Sequence, residues 1–122
     1  MKLLGLSLFC LLLTTSAMAR AEWLEVNLVI KDHLFNPSHL TLPAHTKIKL
    51  VIHNQDDSPE EFESFSLNRE KVILAKAKSV VFLGPLEPGE HLFIGEYNPD
   101  SARGIIRVIP YQQWQAGTSD VN

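Results

Sequence analysis

From Glu25 to Ile109 the apolar residues of this chain recur at every second position, and turn-forming residues interrupt them every 8 to 12 positions. Successive side chains on an extended strand point to opposite faces, so this pattern describes short strands that each bury one face. Val26, Leu28 and Ile30 alternate with Glu25, Asn27 and Lys31, and Ile48, Leu50 and Ile52 alternate with Lys47, Lys49 and His53. Leu40 and Leu42 precede a Pro43-Ala44-His45-Thr46 turn, Phe62 to Leu67 and Ser79 to Leu83 read as further strands, and Pro88-Gly89 leads into Glu90 to Gly95. Gly104 to Ile109 is the last strand, stopped by Pro110, which has no N–H for a ladder. No stretch carries a sustained helical period, and Glu70 to Lys78 has room for one helical turn at most. The predicted fold class is all-β, an antiparallel Greek-key sandwich of seven or eight strands.

Ahead of the strands lies a different kind of segment. Lys2, the apolar run Leu3 to Leu13 and the small-x-small triplet Ala17-Met18-Ala19 form the pattern of a cleavable signal peptide. The run is shorter than the roughly 20 apolar residues that span a bilayer. The expected organisation is a signal peptide at 1–19, a sandwich domain at 20–110 and a loosely held tail at 111–122 whose first part Trp114 pins to the body. The mature protein is then expected in the periplasm and not inserted in the membrane.

Cys10, Met1 and Met18, the only sulfur-bearing residues, all fall within that leader. Without them there is no disulfide framework, no zinc–thiolate site, no iron–sulfur cluster and no thiol nucleophile. A net charge of −3, made more acidic by loss of Lys2, argues against nucleic acid as a partner. No Gly-x-Ser-x-Gly, His-Glu-x-x-His, phosphate-binding glycine loop, haem motif or flavin motif is present.

Several segments from Trp23 to Ile109 together resemble the cupredoxins, small exported sandwiches. They are Phe35-Asn36-Pro37, Leu42-Pro43-Ala44 and Leu86-Glu87-Pro88-Gly89, in that order. Glu60-Glu61-Phe62-Glu63-Ser64, Arg69-Glu70-Lys71 and Gly95-Glu96-Tyr97-Asn98-Pro99-Asp100 are similar to a narrower group, the EfeO-type periplasmic proteins that accompany high-affinity iron permeases. That resemblance implies an accessory that binds iron or cupric copper, with a membrane iron permease or an associated periplasmic protein as its partner. Any enzymatic activity it implies is ferroxidase-like. Aligned on the cupredoxin pattern, the blue-copper ligand positions fall on Glu63, Gly95, Asn98 and Arg103, none of which is a His, Cys or Met. A blue-copper electron carrier is therefore not expected.

The remaining candidates are carboxylates. If Phe65 and Leu67 enter the core, parity turns Glu63 inward with Glu61, and an inward carboxylate is costly unless paired or metal-bound. Glu96 and Asp100 arrive from the final hairpin, and His33 follows the first strand. The expected metal ligands are thus Glu63 and Glu96, with Glu61, Asp100 and His33 as auxiliaries. Oxygen-rich sets of this kind suit iron, manganese or cupric copper. Two alternatives stand beside this reading. Glu63 pairs with Arg103, Arg69 or Lys71 without metal, or the whole domain is a metal-free sandwich that docks a protein partner. His39 and His53 have outward parity, His91 begins the penultimate strand away from Glu96, and His45 occupies a turn position that favours positive φ.

Overall fold

A computed structural model of the protein describes residues 22–119. The leader expected at 1–19 lies outside the described residues. In chain order the strands are β1 (Leu24–Lys31), β2 (Leu34–Asn36), β3 (His39–Pro43), β4 (Ile48–Asn54), β5 (Glu60–Ser64), β6 (Arg69–Ile73), β7 (Lys78–Leu83), β8 (Gly89–Gly95) and β9 (Arg103–Ile109), followed by helix α1 (Tyr111–Ser119). They form two sheets, ordered β2-β1-β4-β7 and β3-β9-β8-β5-β6.

The alternation places the core between the sheets. Leu28, Ile30, Ile48, Leu50 and Ile52 from one sheet face Leu40, Leu42, Phe62, Phe93, Ile106 and Val108 from the other, all buried. At one end Phe62 stacks on Phe93 at 5.3 Å between ring centroids, and Phe35 meets Phe93 edge-on at 4.9 Å. Edge contacts of this kind suit the ring quadrupole and add to the burial of each ring.

The sandwich departs from the sequence expectation in three ways. It has nine strands rather than seven or eight, because β2 is only three residues long and β6 is an edge strand whose first four residues are exposed, so neither shows clear alternation. Its sheets are mixed rather than antiparallel, since β1 pairs parallel with β4 and β3 with β9. Alternation reports which face a residue occupies and is silent on strand direction. The tail, expected to be loose, forms α1. Proline's fixed φ suits a helix start, and the Trp114 N–H donates to the Pro110 carbonyl at 3.0 Å to close the first turn. Trp114 is half-buried in a cleft with Pro43, Leu24 and Thr46.

Two turns are set by residues that tolerate a left-handed backbone. Asp32 (φ 53°) and His33 (φ 58°) form the two-residue loop joining β1 to β2, the geometry that matches strand twist. His45 has φ 56°, as the sequence leads one to expect.

Candidate metal centre

Strand β5 carries the chemistry, and its parity is the reverse of the sequence expectation. Phe62 is fully buried, whereas Phe65 is 80% exposed at the turn that ends the strand. Glu60, Phe62 and Ser64 therefore face the core, and Glu61 and Glu63 face outward. Glu63 is not an inward carboxylate.

On the outer face, register assembles four glutamates. Glu63 lies opposite Glu70 of β6 and opposite Ile94 of β8. Just past β8, the Glu96 N–H donates to the Glu61 carbonyl at 2.9 Å, which brings the two residues side by side. One carboxylate oxygen each from Glu61, Glu63, Glu70 and Glu96 lies within 4.8 Å of the other three. Ligands on opposite sides of one divalent ion stand about 4–5 Å apart for bonds of about 2.0–2.6 Å, so the spacing fits a shared cation.

Proximity of like charges perturbs these groups. A proton shared with Glu70, then removal from water, then the charges of Glu70 and Glu96 push Glu61 up to about 7; a hydrogen bond from Tyr97 works the other way. Glu63 is likewise pushed up to about 7, by a proton shared with Glu96, by removal from water and by the charges of Glu96, Glu70 and Glu61. The Tyr97 phenol rises above its ordinary value through removal from water and the nearby Glu61 charge.

Among the described residues no basic side chain forms an ion pair with the cluster. Among the described residues the ion pairs are His33–Asp56, His45–Glu87, Lys49–Glu25 and Lys76–Asp57, and none includes these four carboxylates. Arg69 donates instead to the main-chain carbonyls of Phe82, Leu67 and Asn68, and Arg103 to that of Pro99. A buried pairing of Glu63 with either arginine is therefore not formed.

Two expected auxiliaries stand apart. Asp100 is exposed in the β8–β9 loop and is not among the clustered residues. His33 does reach that end of the sandwich, where its carbonyl accepts from Ser101 Oγ at 2.7 Å, but its ring faces Asp56 at 3.6 Å. Removal from water tends to raise the Asp56 carboxyl. The His33 and Asp32 N–H groups, with the charges of His33 and Lys76, outweigh this and hold it below the ordinary value. Its role is to clamp the β1–β2 turn, whose two N–H groups it accepts at 2.7 and 3.0 Å.

Sequence reasoning missed two glutamates. Glu70 belongs to the cluster, and reading Phe65 to Asn68 as a hairpin turn would have placed it across from Glu63. Glu60, 1% exposed, lies on the core side. Its Oε1 accepts from the N–H groups of Glu61 and Tyr97, each at 2.9 Å, and its Oε2 from Asn98 Nδ2 at 2.7 Å. A Cβ on Gly95 would stand 2.6 Å from the Glu60 Cδ and from the Ala102 Cβ, so glycine there makes room for this carboxylate. Glu60, rather than Glu63, is thus the β5 residue that meets Gly95 and Asn98. A saturated carboxylate, an amide and a glycine offer neither thiolate nor imidazole, and this inner set does not fit a blue-copper ion.

The comparisons with known proteins agree with this architecture. An uncharacterized protein of Rickettsia prowazekii (strain Madrid E) is 46% identical over 85 residues, which cover 70% of this chain and 68% of that protein. The Cu(I)-bound metal-binding domain of the Cu(I)-exporting P-type ATPase CopA of Streptococcus pneumoniae superposes with a TM-score of 0.62 at 16% identity, covering 74% of this chain and 98% of that domain. Auracyanin A, a blue copper protein of Chloroflexus aurantiacus, superposes with a TM-score of 0.60 at 12% identity, covering 72% of this chain and all of that protein. Residues 3–108 match the cupredoxin-like domain family, and the chain belongs to it.

Proposed function

We propose that this protein binds a hard or borderline cation, iron or cupric copper, on the outer face of β5, β6 and β8. Glu61, Glu63, Glu70 and Glu96 are its ligands. The observation that carries the reading is the convergence of four carboxylates within 4.8 Å of one another, none of them in an ion pair among the described residues. Bringing like charges together costs free energy that a divalent or trivalent ion removes, and an all-oxygen set favours such ions over cuprous copper. Solved structures of copper-binding proteins with this fold lend support to a metal site here.

In this reading the protein is a periplasmic metal-handling accessory, exported by its leader, that delivers iron to a membrane permease or an associated protein. Binding is the proposed activity; a ferroxidase step is not assigned, because no electron acceptor is identified. Calorimetric titration with Fe2+ under anaerobic conditions, Mn2+ and Cu2+ tests it. Micromolar or tighter binding that weakens when Glu63 becomes Gln supports the site, and binding no tighter than millimolar for every ion overturns it.

A further inference from the structure

At the end of the sandwich opposite the four glutamates, aromatic rings gather around a cleft of about 290 Å³. The ends are opposite because Glu96 follows β8, whereas α1 follows β9, which runs antiparallel to it. Trp23, just ahead of β1, and Tyr111 and Trp114 of α1 line the cleft together with Pro43 and Thr46, and Glu22 is the one charged residue among the described residues that line it. The Tyr111 and Trp114 rings stand 6.0 Å apart at a tilt of 43°. Trp23 is braced by two residues that do not line the cleft: Phe82 meets its ring edge-on at 5.0 Å, and Lys47 Nζ lies 5.4 Å from its centroid. Trp23 and Tyr111 are nevertheless each 44% exposed. A tryptophan or tyrosine held in place yet left part-exposed is suited to recognition, because the ring offers a large contact area at little cost in ordering.

The chemistry of the lining sets the charge of what it binds. The face of an aromatic ring is the negative pole of its quadrupole and attracts a cation, as the placement of Lys47 over Trp23 shows within this molecule. Glu22 adds a full negative charge and forms no ion pair among the described residues. The Thr46 hydroxyl spends its hydrogen on the Ala44 carbonyl at 2.9 Å, so toward a ligand it is an acceptor only. We propose that this cleft binds a methylated ammonium, the cation of choline and related compounds. A bare ammonium is strongly hydrated and loses more water than one carboxylate and one hydroxyl oxygen replace. Methylation removes its N–H donors, spreads the charge over apolar surface and lets aromatic faces take the place of water. The volume, near the lower bound of about 300 Å³ for small-molecule sites, admits such a headgroup with a short chain. The cation comes free in solution or as the headgroup of a choline lipid, and both present the same group to the rings. The cleft shares no residue with the glutamate cluster, so this inference does not rest on the metal reading.

Both tryptophans of the chain line the cleft, so their fluorescence reports its occupancy. Choline chloride, titrated in the presence of a chelator against sodium chloride at matched ionic strength, tests the proposal, with the uncharged carbon analogue dimethylbutanol as the control for shape. Choline is expected to change the emission saturably with half-saturation at about a millimolar or below, and the neutral analogue to bind at least about tenfold more weakly. Glu22→Gln, at an exposed position, is expected to weaken choline binding at least about threefold, and Trp114→Leu at least about tenfold with Trp23 still reporting. An unchanged far-UV spectrum shows that each variant is folded. Flotation with phosphatidylcholine vesicles, against phosphatidylglycerol vesicles, separates the two sources: capture by the former alone assigns the lipid headgroup, and choline binding without capture assigns the free cation. A response that does not saturate by about 100 mM, equal binding of the neutral analogue, or a choline affinity unchanged in Glu22→Gln and Trp114→Leu alike overturns the proposal. With the chelator present throughout, either the cleft or the metal site can fail without the other.

Discussion

Glu60 is the residue whose removal should cost this fold most. Glu60 is 1% exposed and its carboxylate accepts three hydrogen bonds, one from the Glu61 N–H on its own strand and two from the β8–β9 loop, the Tyr97 N–H and the Asn98 side-chain amide. Glu60→Ala leaves the buried Glu61 N–H and the part-buried Tyr97 N–H without their acceptor, and a buried donor left unpaired costs about 1–3 kcal/mol. The sum for two is about 4 kcal/mol, a large share of the about 5–15 kcal/mol that stabilises a small domain. Glu60→Gln keeps the shape and one carbonyl oxygen for the two N–H groups, and Asn98 can turn its amide to accept from the new NH2. What it loses is charge assistance, about 2 kcal/mol over three bonds. With a urea m-value of about 1.5 kcal/mol/M, the unfolding midpoints fall by about 2.7 M for Glu60→Ala and about 1.3 M for Glu60→Gln. Urea titrations followed by the fluorescence of Trp23 and Trp114 measure both. A loss below about 0.5 M for Glu60→Ala, or an equal loss for the two variants, would refute the ordering and with it the claim that this carboxylate latches the loop.

Three further outcomes follow from the same geometry. Glu61 and Glu63 have folded values near 7 against an ordinary 4.5, so the folded state retains protons that the unfolded state has released. Their contribution is fully present below about pH 4.5 and is lost as pH rises through about 7, so melting temperature should fall across that window and recover when a bound cation replaces the protons; a melting temperature rising from pH 5 to 7.5 without metal would count against the cluster. Glu61→Gln and Glu63→Gln should each weaken cation affinity at least about tenfold in calorimetry, whereas Asp100→Asn and His33→Ala should leave it unchanged. Gly95→Ala puts a methyl group 2.6 Å from the Glu60 Cδ and should destabilise by about 1–3 kcal/mol, measured by urea unfolding; an unaffected midpoint would mean that Glu60 is not confined as described.

How legible all this was depended on which physical signal each residue carries. The core strands announced themselves because Leu28, Ile30, Leu50 and Ile52 alternate with polar neighbours across buried ladders. Edge strand β6 did not, since its solvated residues Arg69, Glu70, Lys71 and Val72 have no reason to alternate. Parity on β5 fails for a specific reason: the expectation runs one continuous strand through Phe65 and Leu67, while the strand ends at Ser64 and the chain turns, so Phe65 is exposed although Leu67 is buried. That single misplacement reversed Glu63 and hid Glu60, although Phe62 alone, as the inward aromatic, sets both correctly. The grouping of Glu61, Glu63 and Glu96 survived the error because it rests on their positions at one sheet end, and reversing the face moved Glu61 and Glu63 together. Asp100 and His33 were drawn in by nearness of loops, which does not fix where side chains point.

The division of labour within β5 follows from how much bonding capacity each carboxylate has left. Glu60 faces inward with three donors on its two oxygens, and the neighbouring Gly95 leaves no side chain between them, so it is occupied in holding the β8–β9 loop. Glu61 and Glu63 face outward among like charges, with shared protons in place of cations, and each proton given up leaves an oxygen free to bind. Burial alone would have chosen the wrong residue, because the most buried glutamate is the one whose lone pairs are already engaged. Chemistry therefore belongs on the outer face, where the unsatisfied charge of these carboxylates admits a metal ion.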